Sequence, residues 1–129
     1  MNMLALMYVG IGGAIGSMLR YSAVSLVGHY NNTTFPFGTF AVNILGGLFM
    51  GILIGVLANM VPAKAKDLHL LLAVGVLGGF TTFSAFTMET YMLLERGLMA
   101  QAAIYILGSV VLSVSAFLAG MWCIRIAFH

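Results

Sequence analysis

The chain has 129 residues, of which 62% are apolar and 6% are Asp, Glu, Lys or Arg, about a quarter of the ~25% charged fraction of a soluble domain. A water-soluble globule is excluded. The formal charge of +2 is scattered singly over five basic and three acidic residues, so there is no basic stripe of the kind that holds nucleic acid.

Residues 1–19, 21–63 and 97–124 contain no Asp, Glu, Lys or Arg, and neutral apolar runs of about 18 or more read as membrane spans. The N-terminus lacks the basic start of a secretory signal, and its first cation, Arg20, follows the apolar stretch, so it reads as a retained first helix. The neutral run from Tyr21 to Ala63 is too long for one crossing. It is interrupted by the polar cluster His29-Tyr30-Asn31-Asn32-Thr33-Thr34-Phe35-Pro36, which ends in proline and marks a loop. Further breaks fall at residues 61–67 and at Glu95-Arg96-Gly97. Four helices are predicted, at about 3–28, 38–61, 68–94 and 98–127; at ~20 residues per crossing they leave no room for a soluble domain. A membrane barrel would alternate polar and apolar residues over ~10-residue segments. These blocks do not alternate, so the expected fold is an all-α integral membrane bundle with membrane lipid around it.

With four spans, one face collects Lys64, Lys66 and Arg125 and the other Arg96 and, near the end of helix one, Arg20. That bias is too small to fix an orientation. Insertion both ways round follows, and two copies could then meet antiparallel as a two-fold dimer. The single cysteine, Cys123, has no partner for an internal disulfide.

Sixteen glycines suit membrane helices, where small residues let backbones approach. Gly12-x-x-x-Gly16, Gly47-x-x-x-Gly51-x-x-x-Gly55 and Gly75-x-x-x-Gly79 are read as tight packing faces, some of them available to a partner subunit. In the second helix, Asn43 is an amide in an otherwise apolar stretch. Both interhelical glue and a donor lining a pathway fit it.

The third helix carries Gly78-Gly79-Phe80-Thr81-Thr82-Phe83-Ser84-Ala85-Phe86 near mid-span, with Glu89 beyond. Adjacent glycines weaken a helix, and hydroxyls divert backbone bonds, so the glycine pair is expected to break it there. Such a break leaves carbonyls off one half-helix and N–H groups off the next, which are ready-made ion sites; the bland alternative is a kink with back-bonded hydroxyls. Carbonyls without carboxylates suit a hard monovalent cation. Phe83 and Phe86 share a face, usually for packing, although ring edges carry the positive end of the quadrupole and can face an anion. In the fourth helix Gln101, Tyr105, Ser109 and Ser113 recur every four residues, a polar track in preference to a set of back-bonded serines; Ser115 lies off that line. Arg20 and Glu89 are the charges well inside predicted helices, where ions default to functional hypotheses, with snorkelling and simple pairing as the alternatives.

Taken together, Gly12-Gly13-Ala14-Ile15-Gly16-Ser17 with Arg20-Tyr21, Gly38-Thr39-Phe40 with Asn43, and the run from Gly78 to Phe86 with Glu89 resemble the Fluc (CrcB) fluoride channels over nearly the whole chain. The resemblance implies an antiparallel dual-topology homodimer in the bacterial inner membrane, with two passive pores that export cytoplasmic fluoride. It implies a structural sodium ion at the centre, held by backbone carbonyls of Gly78 and Thr81 from both subunits. Each pore would use Asn43, Phe83 and Phe86, with Tyr105, Ser109, Ser113 and Ser115 along the track. Arg20 would draw anions toward a vestibule, and Thr39 and Glu89 would lie close to the path. Many relatives carry a hydroxyl where this chain has Ala85, which alters a local contact.

Fluoride gives up water reluctantly, so a pore must supply close donors in its place. Neither a nucleophile and base arrangement nor a nucleotide loop is present, so passive flow is the expected mechanism and catalysis is not. A small proton-coupled multidrug exporter would resemble the chain in size but relies on a carboxylate in the first helix, and residues 1–28 have none. A non-transporting subunit, whose glycines serve assembly alone, would give no fluoride flux.

Overall fold

A computed structural model describes residues 2–128. Within them, four helical rods are long and apolar enough to cross a membrane, because every backbone polar group in hydrocarbon must find its partner within the protein. Helix α1, Met3–Tyr30, starts where the Asn2 side chain accepts from the Leu4 N–H (3.1 Å). Helix α2, Phe37–Leu57, begins directly after Pro36. The third rod is composite: α3 (Pro62–Leu68), a π-helical segment (His69–Leu77), the single turn α4 (Gly78–Phe80) and α5 (Phe83–Glu95). Helix α6 runs from Met99 to Ala127.

The predicted helices are present, with two boundaries moved. The second ends at Leu57 rather than near 61, where Asn59 Nδ2 turns back to the Gly55 carbonyl (3.0 Å). The third begins at Pro62 rather than near 68. Proline at the first helical position lacks only an N–H that no helix start can use, so the sequence signal for a loop is here the signal for a helix start.

The break in the third rod lies further along than expected. Gly78 is helical (φ −63°, ψ −37°), whereas Thr81 (φ −82°, ψ 156°) and Thr82 (φ −149°, ψ 125°) are extended. The glycine pair is not the point of unwinding. Gly79 instead lies against α1, where an added Cβ would stand 2.6 Å from the Gly13 carbonyl oxygen. The chain unwinds at the threonines because side chains take over their main-chain partners.

The glycine faces are consumed inside the protomer. Gly12 and Gly75 pack backbone to backbone, and a Cβ on Gly75 would stand 2.8 Å from Gly12 Cα. Gly47 approaches Ser113 of α6, where a Cβ would meet the carbonyl oxygen at 2.6 Å, and Gly51 and Gly55 meet Phe117 and Ile124 further along. Thus α1 lies along the π segment and α4, and α2 lies along α6. These faces give the protomer its close packing and are not spare surfaces for a second copy. At the loop end, Phe86, Leu93, Ala102 and Tyr105 form a core, closed by Phe35, Phe40 and Leu98.

Candidate functional site

The unwound pair Thr81–Thr82 is held by α2. Asn43 Nδ2 donates to the Thr82 carbonyl (3.0 Å), and Asn43 Oδ1 accepts from the Thr82 N–H (2.8 Å). One amide side chain thereby pairs with both main-chain groups of one residue, as a neighbouring strand would. Asn43 is the glue of the break, and it sits at the same time on the lining of the adjacent groove.

The consequences run along the backbone. The N–H of Thr82 would close a helical turn onto the Gly78 carbonyl, but it goes to Asn43. That of Ala85 would reach the Thr81 carbonyl, but it goes to Thr82 Oγ1 (3.2 Å), the cap of α5. The carbonyls of Gly78 and Thr81 are therefore released. Between them, the Gly79 carbonyl accepts from Arg20 Nε (3.1 Å), a cation at the negative end of a helix. Arg20 is thus tied to the broken rod, and the Thr81 hydroxyl bonds back to the Leu77 carbonyl (2.9 Å). Two neutral carbonyl oxygens with no carboxylate beside them fit a hard monovalent cation. Gly78 is exposed on the protomer, so such an ion would sit at its surface.

On the other side of the break a groove of about 420 Å³ opens between α2, α5 and α6, lined by Asn43, Thr81, Thr82, Phe83, Phe86, Ser109 and Ser113 with apolar neighbours. No charged side chain lines it. The hydroxyls of Ser109 and Ser113 are buried there and have no hydrogen-bond partner. Buried polar groups are nearly always paired, so two adjacent orphans mark a place for a ligand. Phe83 and Phe86 stand 5.4 Å apart between ring centroids; Phe86 is 9% exposed and Phe83 75%.

Toward the loop end of α6, Tyr105 is fully buried and Thr39 is 1% exposed. Tyr105 Oη donates to Glu89 Oε2 (2.6 Å), and Thr39 Oγ1 donates to Glu89 Oε1 (2.9 Å). Both carboxylate oxygens are satisfied by hydroxyls. Tyr105 also stacks on Phe86, with centroids 5.1 Å apart, which joins this trio to the groove. The structure therefore gathers Asn43, Phe83, Phe86, Ser109 and Ser113 around one groove, and sets Thr39, Glu89 and Tyr105 outside its lining, toward the loop end. Gln101 accepts from the Thr34 hydroxyl (3.1 Å) and stays outside the groove. Ser115 is exposed and also outside its lining. Sequence reasoning passed over Thr82, the pivot of the network; its place before the helix-forming run from Phe83 was the available signal for a cap.

The family model for CrcB-like protein, Camphor Resistance (CrcB), matches residues 7–121. Curated relatives named fluoride-specific ion channel FluC include one from Novosphingobium aromaticivorans, 47% identical over 125 residues, covering 95% of this chain and 98% of the relative. Another, from Phenylobacterium zucineum, is 47% identical over 126 residues and covers 98% and 99%. A third, from Caulobacter sp. strain K31, is 45% identical over 130 residues and covers 98% of each.

Proposed function

Because the chain belongs to the CrcB-like family of fluoride-specific ion channels, a family of channels and not of enzymes, we propose that it conducts fluoride passively out of the cytoplasm. The observation that carries this reading is the pair of orphaned hydroxyls, Ser109 and Ser113, in a groove without charge. A small anion stripped of water needs short, forward-pointing donors, and two hydroxyls with no other occupation are such donors. The edge of Phe86 and the exposed ring of Phe83 add the positive rim of the aromatic quadrupole. No carboxylate lines the groove, so nothing there repels an anion or captures a cation. Conduction also requires several weak sites in place of one strong one, and Ser109, Ser113 and Asn43 all line the groove.

The working unit is an antiparallel dual-topology homodimer in the bacterial inner membrane, with one pore from each groove. Its support is the broken backbone on the protomer surface, since irregular chain at membrane depth must be covered by protein or line a polar cavity. A sodium ion would be held by the carbonyls of Gly78 and Thr81 from both copies, and would neutralise the negative ends of the two α4 turns. The residues of this chain prepare the site: Asn43 and Thr82 divert the two N–H groups that would otherwise occupy those oxygens.

Purified protein reconstituted in liposomes tests the reading with a fluoride electrode. Rapid electrogenic fluoride efflux with chloride excluded is expected, and Phe83→Ile or Phe86→Ile should slow it. Absence of fluoride efflux from protein that is folded and inserted rejects conduction; full conduction by both isoleucine variants rejects the ring-edge route.

A further inference from the structure

At one end of the bundle the loop 31–36 is tied to the start of α6 by the hydrogen bond from Thr34 Oγ1 to Gln101 Oε1 (3.1 Å). Two cavities open there. The smaller, about 50 Å³, has Thr34, Glu89 and Arg96 in its wall. The larger, about 180 Å³, shares Thr34 and Glu89 and reaches Thr39. Glu89 is in turn bonded to Tyr105, which stacks on Phe86 at the groove. Side-chain contacts thus run from the Arg96 cavity through Glu89 and the buried Tyr105 to Phe86 on the groove wall.

We infer that Arg96 is the cation that gathers fluoride at this mouth. The inference rests on the conduction reading above. An anion passing Glu89 meets a carboxylate, and passage needs a compensating positive charge within the same cavity. Arg96 is the cation in that wall, whereas Arg20 is committed to the Gly79 carbonyl. The acidic neighbour Glu95 accepts from Tyr91 Oη (3.2 Å), so it is directed along α5 rather than across the mouth. The backbone holds Arg96 in place. The Leu98 N–H bonds to the Leu93 carbonyl (2.9 Å) and the Gly97 N–H to that of Leu94 (3.0 Å), with Gly97 at φ 73°, which is the Schellman closure of a helix.

One unit charge at about 6 Å from an ion in water changes its local concentration about threefold, and salt near 1 M, with a screening length of about 3 Å, removes most of that. Single-channel fluoride currents in planar bilayers are therefore compared for the parent, Arg96→Gln, Arg96→Glu and Arg96→Lys, at about 10 mM fluoride, without and with ~1 M of an impermeant sulfonate salt. The expected result at low salt is a current about threefold lower for Arg96→Gln, about tenfold lower for Arg96→Glu, and near the parent for Arg96→Lys; at high salt all four converge. Equal currents for Arg96→Gln and the parent at low salt overturn the inference. So does a loss that persists at high salt and is shared by Arg96→Lys, since that is the pattern of a helix cap alone. A parent protein without fluoride current refutes the conduction reading itself and leaves the variant comparison without a baseline, so the two failures are distinct.

Discussion

Replacing Asn43 by alanine removes both partners of Thr82, the N–H at 2.8 Å and the carbonyl at 3.0 Å. A hydrogen bond contributes about 1 kcal/mol net, but a buried group left without a partner costs about 1–3 kcal/mol. With both Thr82 groups orphaned, the loss would reach about 2–6 kcal/mol. The chain has a partial escape: the Thr82 N–H can return to the Gly78 carbonyl and close the helical turn that Asn43 keeps open. The Thr82 carbonyl, at the N-cap of α5, can likewise take the Phe86 N–H as its helical partner, so a net loss of about 1–3 kcal/mol is expected, chiefly from the two lost side-chain hydrogen bonds. Thermal unfolding in detergent reads the loss, and amide hydrogen exchange at Thr82 and Ala85 reads the rearrangement. In Asn43→Ala the third rod should straighten, Gly78 should lose its free carbonyl, and fluoride efflux should fall with it. Asn43→Asp keeps the acceptor for the Thr82 N–H but sets a carboxylate oxygen against the Thr82 carbonyl, so it should be no better than alanine. If Asn43→Ala melts with the parent and exchange at Thr82 is unchanged, the amide does not hold the break and the reasoning fails.

The adjacent glycines should respond oppositely. Gly79→Ala drives a Cβ to 2.6 Å from the Gly13 carbonyl oxygen and should destabilise by about 1–3 kcal/mol. Gly78→Ala meets nothing closer than 3.6 Å, so folding should gain up to about 1 kcal/mol from helix propensity, while assembly measured by light scattering in detergent should weaken if a second copy covers Gly78; equal melting of the two variants would refute the packing account. Ser109→Ala and Ser113→Ala each delete a hydroxyl that has no partner in the protomer. Melting temperature should hold or rise while fluoride efflux falls, and a variant that loses stability but conducts normally would show the hydroxyl to be structural.

The number and order of the spans were legible because hydrocarbon demands long neutral runs, and the four rods are those runs. The groove was legible in part: four-residue spacing put Tyr105, Ser109 and Ser113 on one stripe, and they do lie along one side of α6. Position in the rod was not. Gly78-Gly79 looked like the weak point because glycine permits departure from a helix, but permission does not supply partners for a broken backbone. Those came from Asn43, 39 residues upstream of Thr82, and from the Thr82 hydroxyl, and no local pattern ties an amide in one helix to a main chain in another. The π turns from His69 to Leu77 were equally hidden, since the run is uniformly apolar and an extra residue per turn leaves no mark on composition. Thr39, Glu89 and Tyr105 were read as separate polar residues; only the fold brings the two hydroxyls to the Glu89 carboxylate.

The proposed cation site and the proposed anion groove flank the same short break, and one rearrangement of the backbone bears on both. A helix interior offers neither charge, because each carbonyl is paired with an N–H four residues on. At Thr82 and Ala85 side-chain oxygens take the N–H groups, so the Gly78 and Thr81 carbonyls are left without their helical donors, the oxygens proposed for a cation. Those two N–H groups are consumed in the process. The donors proposed for fluoride lie on the neighbouring helix α6, the hydroxyls of Ser109 and Ser113, which have no other partner in the protein. Each unpaired group in hydrocarbon costs on the order of several kcal/mol, and four of them approach the whole ~5–15 kcal/mol that holds a domain folded. A lone protomer in lipid would bear that cost in full. A second antiparallel copy would cover Gly78, bring its own two carbonyls to the same axis and leave both grooves open to their anions, and for that reason the proposed sodium ion, the proposed dimer and the proposed pores stand or fall on the diversion of the same two N–H groups.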